Sequence, residues 1–483
     1  MVQNMSYQKQ IDEQIEGNRT SIAKDPHRLQ YHLTPPVGLL NDPNGLIHFK
    51  DKYHVFFQWN PFETKHGKKS WGHYTSTDLI HWTLEKAALA PDSWYDKDGC
   101  YSGSAIEHEG RMYLFYTGNV KNEFDERSTY QCLAVSDDGM TFEKKGPVFN
   151  LPDGYTPHFR DPKVWKDGQE WLMVIGAQNS KEQGEAVLAK SSNLEDWKFA
   201  GPIAGSHMNG LGDFGYMWEC PDLFHLDGKD ILIVCPQGLG AEGDRYKNLY
   251  QAGYFVGTFD GEAIRYDHGS FSELDRGFDF YAPQTMVDGK GRRILFGWMG
   301  MTDDQEQNQP TIKQKWIHAL TIPRVLKVKD EKVIQTPVPE LEELRGTKIG
   351  HEVTLKDGEV FTETVFPSSE VTVNFDAPLI DGFELEIRKD IRLVFEKGRF
   401  IVERKSFSGN GSEQRAVALK YLNSLQIYID HSSIEIFING GEEVFTCRYF
   451  PDSENNIIRL KVEEAHSFDL CHWPLEKEGI IMF

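Results

Sequence analysis

Positive charge is scarce in this chain. Its 483 residues carry 52 Lys and Arg against 74 Asp and Glu, a formal net charge of −22. Such a surface repels phosphate backbones and anionic lipid, so neither nucleic acid nor a membrane is an expected partner. Cysteine is sparse as well. Cys100, Cys132, Cys220, Cys235, Cys447 and Cys471 form no C-x-x-C pair and no dense framework, which fits a reducing compartment. No apolar run approaches the ~18 residues of a spanning helix. Residues 1–30 are polar and lack the apolar stretch of a secretory signal, so the expected location is cytoplasmic. His73, His81, His158 and His225 show no metal-ligand spacing, and no H-E-x-x-H or G-x-S-x-G occurs. Neither a metal nor another cofactor is expected. Two G-x-G-x-x-G matches, at 210–215 and 238–243, open no amphipathic helix and read as loops.

Long helical periodicity is also missing, apart from a short surface helix expected over 6–17. What the chain has instead is a repeat. Strand-like segments begin at Tyr53, Met112, Trp171, Ile231 and Arg293, spaced 59, 59, 60 and 62 residues apart. Turn residues precede each one, and a polar turn closed by an aromatic follows most, as in Ser76 to Trp82 and Ser192 to Trp197. Five units of about sixty residues predict radial four-stranded blades closing on themselves. After Arg324 the pattern changes. Prolines stiffen 335–349, and period-2 alternation returns in segments such as Val371 to Phe375 and Ile434 to Ile438. The expected chain is therefore all-β. It comprises a polar extension (1–30), a five-bladed β-propeller (31–334), a linker with a short helix (335–349) and a β-sandwich (350–483).

Three acidic motifs stand out: Asn41-Asp42-Pro43-Asn44-Gly45, Arg160-Asp161-Pro162 and Glu219-Cys220-Pro221-Asp222. Asp42, Asp161 and Glu219 precede their strand segments by 11, 10 and 12 residues, as Ser102 and Tyr281 do by 10 and 12. Singly, an Asp-Pro is a turn, as Asp25-Pro26 reads here. Together, at matched positions on the innermost strands, the three carboxylates would meet around one axis. Cleavage of a sugar bond needs carboxyls with different tasks. Asp42, beside Asn41 and Asn44, reads as the ionised nucleophile. Glu219, between Trp218 and Cys220 and near Met217, reads as a proton carrier raised by apolar surroundings. Asp161, next to Arg160, reads as a permanent anion.

Leu39 to Gly45, Phe159 to Pro162 and Glu219 to Asp222 resemble the three signatures of the invertase-type glycoside hydrolases, family 32. The resemblance runs from about Tyr31 onward and includes Asp430 to Phe437. It implies hydrolysis of β-fructofuranosides with retention, with carboxyls roughly 5–5.5 Å apart. It assigns Asp42 as nucleophile, Asp161 as transition-state stabiliser and Glu219 as acid/base. It also places Leu39, Leu40, Asn41, Gln58, Trp71, Tyr101, Ser102, Arg160, Tyr281 and Trp298 at or near the fructose pocket. Leu39 and Leu40 stand where many members have Trp-Met. His66 replaces a Trp, as in the bacterial branch acting on sucrose 6-phosphate. With Lys65, Lys68 and Lys69 it makes a cationic loop, read either as a phosphate grip formed by His66, Lys68 and Lys69 or as a solvated surface. The substrates considered are sucrose 6-phosphate, unphosphorylated sucrose and fructans. A non-catalytic sugar-binding propeller is the alternative from another class. The expected partner is a small sugar, and the expected state a monomer or homodimer.

Overall fold

The computed structural model describes residues 6–452, 454–476 and 481–482. Five antiparallel sheets form the first part. Their innermost strands are Gly38–Phe49, Cys100–His108, Tyr155–Asp167, Met217–Leu226 and Tyr281–Val287. Each pairs with the strand after it: Lys52–Asn60, Arg111–Lys121, Glu170–Asn179, Lys229–Gln237 and Arg293–Met299. The sixty-residue segments read from the sequence are these second strands. They are the most apolar because both faces are covered by neighbouring sheets. The innermost strands are tied across the axis. Ser104 Oγ donates to the Pro162 carbonyl at 2.8 Å, and the Thr285 amide donates to Asp222 at 2.8 Å. Gln284 bridges two further sheets, accepting from the Leu46 amide at 3.0 Å and donating to the Gly103 carbonyl at 2.9 Å. The ring closes where Trp316–Ile317 pairs in parallel with Gly38 and Leu39.

The second part is a sandwich of two six-stranded sheets. Alternation builds its core: Val371, Val373, Leu385, Leu393, Ile427, Ile436, Leu460 and Leu470 all point inward. The all-β propeller-plus-sandwich expectation is met. The stretch 335–349, however, begins inside a blade. Lys332–Pro337 is the outer strand of the fifth sheet and pairs with Arg324–Lys329. Pro337 ends an edge strand, where a missing N–H costs nothing, so it is not the linker proline it resembled. A 3-10 turn at Pro339–Leu344 then leads into the sandwich strand Ile349–Leu355.

At the other end, the helix runs over Tyr7–Ala23, longer than the expected 6–17. Ser6 caps it by accepting from the Lys9 amide, and Ile11 and Ile22 are buried against the propeller. Gly17, the last residue of the expected span, lies mid-helix, its cost outweighed by this packing.

Buried ions join the two parts. Arg324, on the propeller, contacts Glu435 at 2.5 Å and Asp275 at 3.0 Å, and all three side chains are fully buried. His32 lies 2.9 Å from both Asp430 and Glu435. The Asp430 to Phe437 motif therefore holds the sandwich onto the propeller and does not face the acidic site.

Candidate active site

The three acidic motifs sit on β-bulges. In every blade, two residues of the innermost strand oppose one residue of its partner. These pairs are Asn41-Asp42, Tyr101-Ser102, Asp161-Pro162, Cys220-Pro221 and Ala282-Pro283. A bulged residue leaves the hydrogen-bond ladder, which is why proline is tolerated there. Asp161, Cys220 and Ala282 adopt positive φ, at 68°, 48° and 46°. In the second blade Gly103 follows the bulge. A Cβ at that position would lie 1.9 Å from the Phe115 carbonyl oxygen, so only glycine fits. The bulge also breaks the alternation of side chains, so that Asn41 and Asp42, or Tyr101 and Ser102, face the same cavity.

The expected equivalence of the acids is therefore staggered. Asp42 is the second bulge residue, Asp161 the first, and Glu219 the residue before the bulge. All three line one cavity of about 520 Å³. Asp42 accepts from Ser102 Oγ at 2.5 Å and from Asn41 Nδ2 at 3.0 Å. Asp161 accepts from the Cys220 amide at 2.9 Å. Glu219 accepts from Arg160 Nε at 2.8 Å, and from Gln237 and the Tyr281 hydroxyl at 2.7 Å each. Arg160 Nη2 also contacts Glu219, at 2.7 Å. The Cys220 thiol lies 3.5 Å from Asp161 and 4.0 Å from Asp42.

Proton affinities follow from these partners. Burial raises the Asp42 carboxyl; the Ser102 hydrogen bond opposes the rise and the Glu219 charge adds to it. Burial, then the Glu219 charge, push Asp161 up to about 7 against the pull of Arg160. Burial works to raise Glu219 too, but the Arg160 charge and the Tyr281 and Arg160 hydrogen bonds outweigh it. They hold Glu219 below its ordinary value. Two expectations are corrected here. Glu219 is not in an apolar setting, because strand alternation sends Trp218 into the core between blades three and four. Asp161 does not have the low proton affinity expected beside an arginine, because burial and the Glu219 charge outweigh the pull of Arg160. The two acids titrate as a pair that shares the guanidinium.

Gln58, Tyr101, Ser102, Arg160, Tyr281 and Trp298 line the cavity with the acids, as does Asn41. Leu39, Leu40 and Trp71 do not; all three are fully buried. Trp71 acts from behind, donating its indole N–H to the Tyr101 carbonyl at 3.0 Å. In the cationic loop, His66 Nε2 lies 2.9 Å from Glu306 Oε1, and Lys69 Nζ lies 3.3 Å from His66 Nδ1. Burial lowers the Lys69 ammonium to about 7 despite Asp42 and Glu306. Of the expected grip, His66 and Lys68 are exposed and Lys69 is buried. Sequence reading missed Asn119, Lys121, Arg127, Gln237 and Tyr250. Lys121 and Arg127 face each other across the second-blade hairpin. Like charges opposed in this way repel. Asp125 offsets one, at 2.7 Å from Lys121 Nζ, and the Tyr101 ring lies 5.7 Å from the other. Basic residues bracketing Asn122 to Glu126 are the only sequence signal they leave.

Comparison with known proteins fits this geometry. Residues 32–337 match the family model described as "Glycosyl hydrolases family 32 N-terminal domain", and residues 340–474 match "Glycosyl hydrolases family 32 C terminal". The chain belongs to glycosyl hydrolase family 32. Among family 32 relatives, the sucrose-6-phosphate hydrolase of Bacillus subtilis (strain 168) is 51% identical over 465 residues, covering 96% of this chain and 97% of that protein. The structure of sucrose-6-phosphate hydrolase from Lactobacillus gasseri superposes with a TM-score of 0.87 at 30% identity, covering 96% of each chain. A Bombyx mori family 32 β-fructofuranosidase, solved in complex with sucrose, gives 0.86 at 32% identity and covers 100% of each. The protein is thus a glycoside hydrolase. Among the described residues, no helix is long and apolar enough to cross a membrane.

Proposed function

We propose that this family 32 hydrolase cleaves the β-fructofuranosyl bond of sucrose 6-phosphate, releasing fructose and glucose 6-phosphate. The observation that carries the phosphorylated substrate is the opposed cation pair Lys121 and Arg127, together with Lys68, on the wall of an otherwise acidic cavity. In a chain of net charge −22, cations gathered on one cavity wall suit an anionic guest. The name of the Bacillus subtilis relative supports the reading.

Catalysis proceeds by double displacement. Asp42, oriented by hydrogen bonds from Ser102 and Asn41, attacks as the carboxylate at the anomeric carbon of the fructosyl unit. Glu219 protonates the departing glucosyl oxygen, then takes a proton from the water that frees the fructosyl ester. Asp161 accepts hydrogen bonds from fructosyl hydroxyls and so stabilises the positive charge of the transition state. Burial and the Glu219 charge raise the proton affinity of Asp161, while Arg160 and Tyr281 lower that of Glu219. Sugar hydroxyls donating to Asp161 favour its ionised form and leave the proton to Glu219, which prepares it as the acid. Tyr281, Gln237 and Arg160 hold the Glu219 carboxyl in position, and Trp298 offers a face to the sugar.

The phosphate grip proposed here is Lys68, Lys121 and Arg127. His66 and Lys69, engaged with Glu306 and with each other, shape the loop instead. A phosphorylated sugar and six free thiols both support a cytoplasmic setting. The Bombyx mori relative, bound to sucrose, favours a second reading: hydrolysis of unphosphorylated sucrose. Measuring kcat/KM for sucrose and its 6-phosphate separates the two. Arg127→Ala is expected to lower the rate on the 6-phosphate by about tenfold or more, one charge-assisted contact, and to spare sucrose. Equal losses on both substrates would remove Arg127 from the grip. A wild type that prefers sucrose would establish the second reading.

A further inference from the structure

The open edge of the sandwich holds side chains that catalysis does not use. His351 lies on Ile349–Leu355, the edge strand of one sheet. Glu363 lies on Val360–Thr364, the edge strand of the other. His472 lies on His466–Pro474, directly beside the first. One nitrogen from each histidine and one carboxylate oxygen all fall within 4.8 Å of one another. His472 is fully buried, yet neither of its ring nitrogens has a hydrogen-bond partner. His351 Nε2 approaches Glu363 Oε2 to 2.6 Å, but out of line for a hydrogen bond, so it too has no such partner. Three lone-pair donors converge without satisfying one another. A buried polar group in that condition calls for an explanation.

We propose that His351, Glu363 and His472 bind a divalent transition-metal ion, zinc by donor chemistry, that pins the edges of the two sandwich sheets together. Two imidazoles and a carboxylate suit tetrahedral zinc, whereas calcium and magnesium take mainly oxygen. The His351 and Glu363 side chains are 35% and 20% exposed, which leaves a path for the ion and for a fourth, water ligand. The residues come from three strands, so no short-range spacing announces them. The other convergent group, His66, Glu306 and His318, differs: Glu306 already hydrogen-bonds both histidines, at 2.9 and 2.8 Å. The sandwich cluster shares no residue with the acidic cavity. Its role is to close two unpaired sheet edges, a structural one.

The test uses the full chain, stripped with a chelator and titrated with zinc alone against a chromophoric competitor. His351→Asn and Glu363→Gln change partly exposed side chains on edge strands and leave the core intact. Each is expected to weaken zinc binding by about 100-fold or more, beyond the loss seen for outer-shell partners of metal ligands. Zinc should raise the Tm of the wild type and not of the variants, while sucrose hydrolysis by metal-free wild type and variants stays equal. Cobalt(II) should give a tetrahedral visible spectrum in the wild type that both variants lose. Zinc affinity unchanged in both variants, or no zinc bound by the wild type, overturns the proposal.

Discussion

Arg160 is the residue on which the proton economy of the site turns. Its guanidinium contacts Glu219 through two nitrogens, at 2.8 and 2.7 Å, and lowers both Glu219 and Asp161. Replacing it by glutamine keeps a planar donor but removes the charge. An opposite charge at this range shifts a carboxyl by about 1–3 pH units, or about 1.4–4 kcal/mol. Both members of the pair rise when it is lost, so the prediction does not depend on which one holds the proton. The proton needed by the leaving group is then retained to higher pH. The alkaline limb of kcat/KM should move up by at least about one unit in Arg160→Gln. With Asp42 as the proposed nucleophile, the acid limb reports its ionisation; its main influences are burial, Ser102 and Glu219, so the limb should stay in place. The rate at the optimum should fall, because Glu219 loses a fork that positions it. Arg160→Lys keeps the charge and loses the fork, so its limb should remain near that of the wild type while its rate falls. The assay is initial-rate hydrolysis of sucrose against pH at constant ionic strength, on variants checked for a cooperative melt. An alkaline limb that stays still or moves down in Arg160→Gln refutes the argument.

Two stability effects follow from the same physics. Asp161 is raised in the folded protein from an ordinary 3.8 to about 7, so ionising it opposes folding, and stability falls as pH rises through that window. Asp161→Asn, which retains an acceptor for the Cys220 amide, should match the wild type near pH 3 and melt higher at pH 8; a lower melting temperature at pH 8 contradicts the electrostatic account. Glu435 pairs with buried Arg324 and His32 between propeller and sandwich. Glu435→Ala strands both partners and should cost about 3–5 kcal/mol in denaturant unfolding; a loss under about 1 kcal/mol would mean that the ion cluster does not join the two parts.

The repeat was legible because each second strand is buried on both faces and must be apolar, which leaves a regular hydrophobic signal. The acids were legible because proline is tolerated within a bulge, as at Pro162 and Pro221, or just after one, as at Pro43, and so marks it. Gln237 left no trace, since a polar residue at the end of a second strand looks like any strand end, and neither did Tyr250, which lies in the loop that follows. Trp71 was misjudged for a related reason: a large aromatic next to a pocket serves equally well behind it, as its bond to the Tyr101 carbonyl does here. The surroundings of Glu219 were misread because neighbours in sequence are on opposite faces of a strand. Its true neighbours, Arg160 and Tyr281, come from the adjacent blades.

The stagger of the bulges accounts for the division of labour proposed for the three acids. Had each occupied the same bulge position, fivefold-like repetition would have given each the same kind of donor, and like charges without distinction. Instead, each stands one residue apart from the next relative to its bulge. Glu219 precedes the bulge on regularly paired backbone and meets only side-chain donors, from Arg160, Gln237 and Tyr281. Asp161, first in its bulge at φ 68°, turns toward the next blade and accepts a backbone amide that cannot move away. Asp42, second in its bulge, reaches a hydroxyl from the blade beside it. One acid is thus gripped by a cation, one by a fixed dipole and one by a neutral hydroxyl. Environments that differ in this way push proton affinities apart, which is what the proposed roles of acid, stabiliser and nucleophile require of neighbouring carboxyls at one pH.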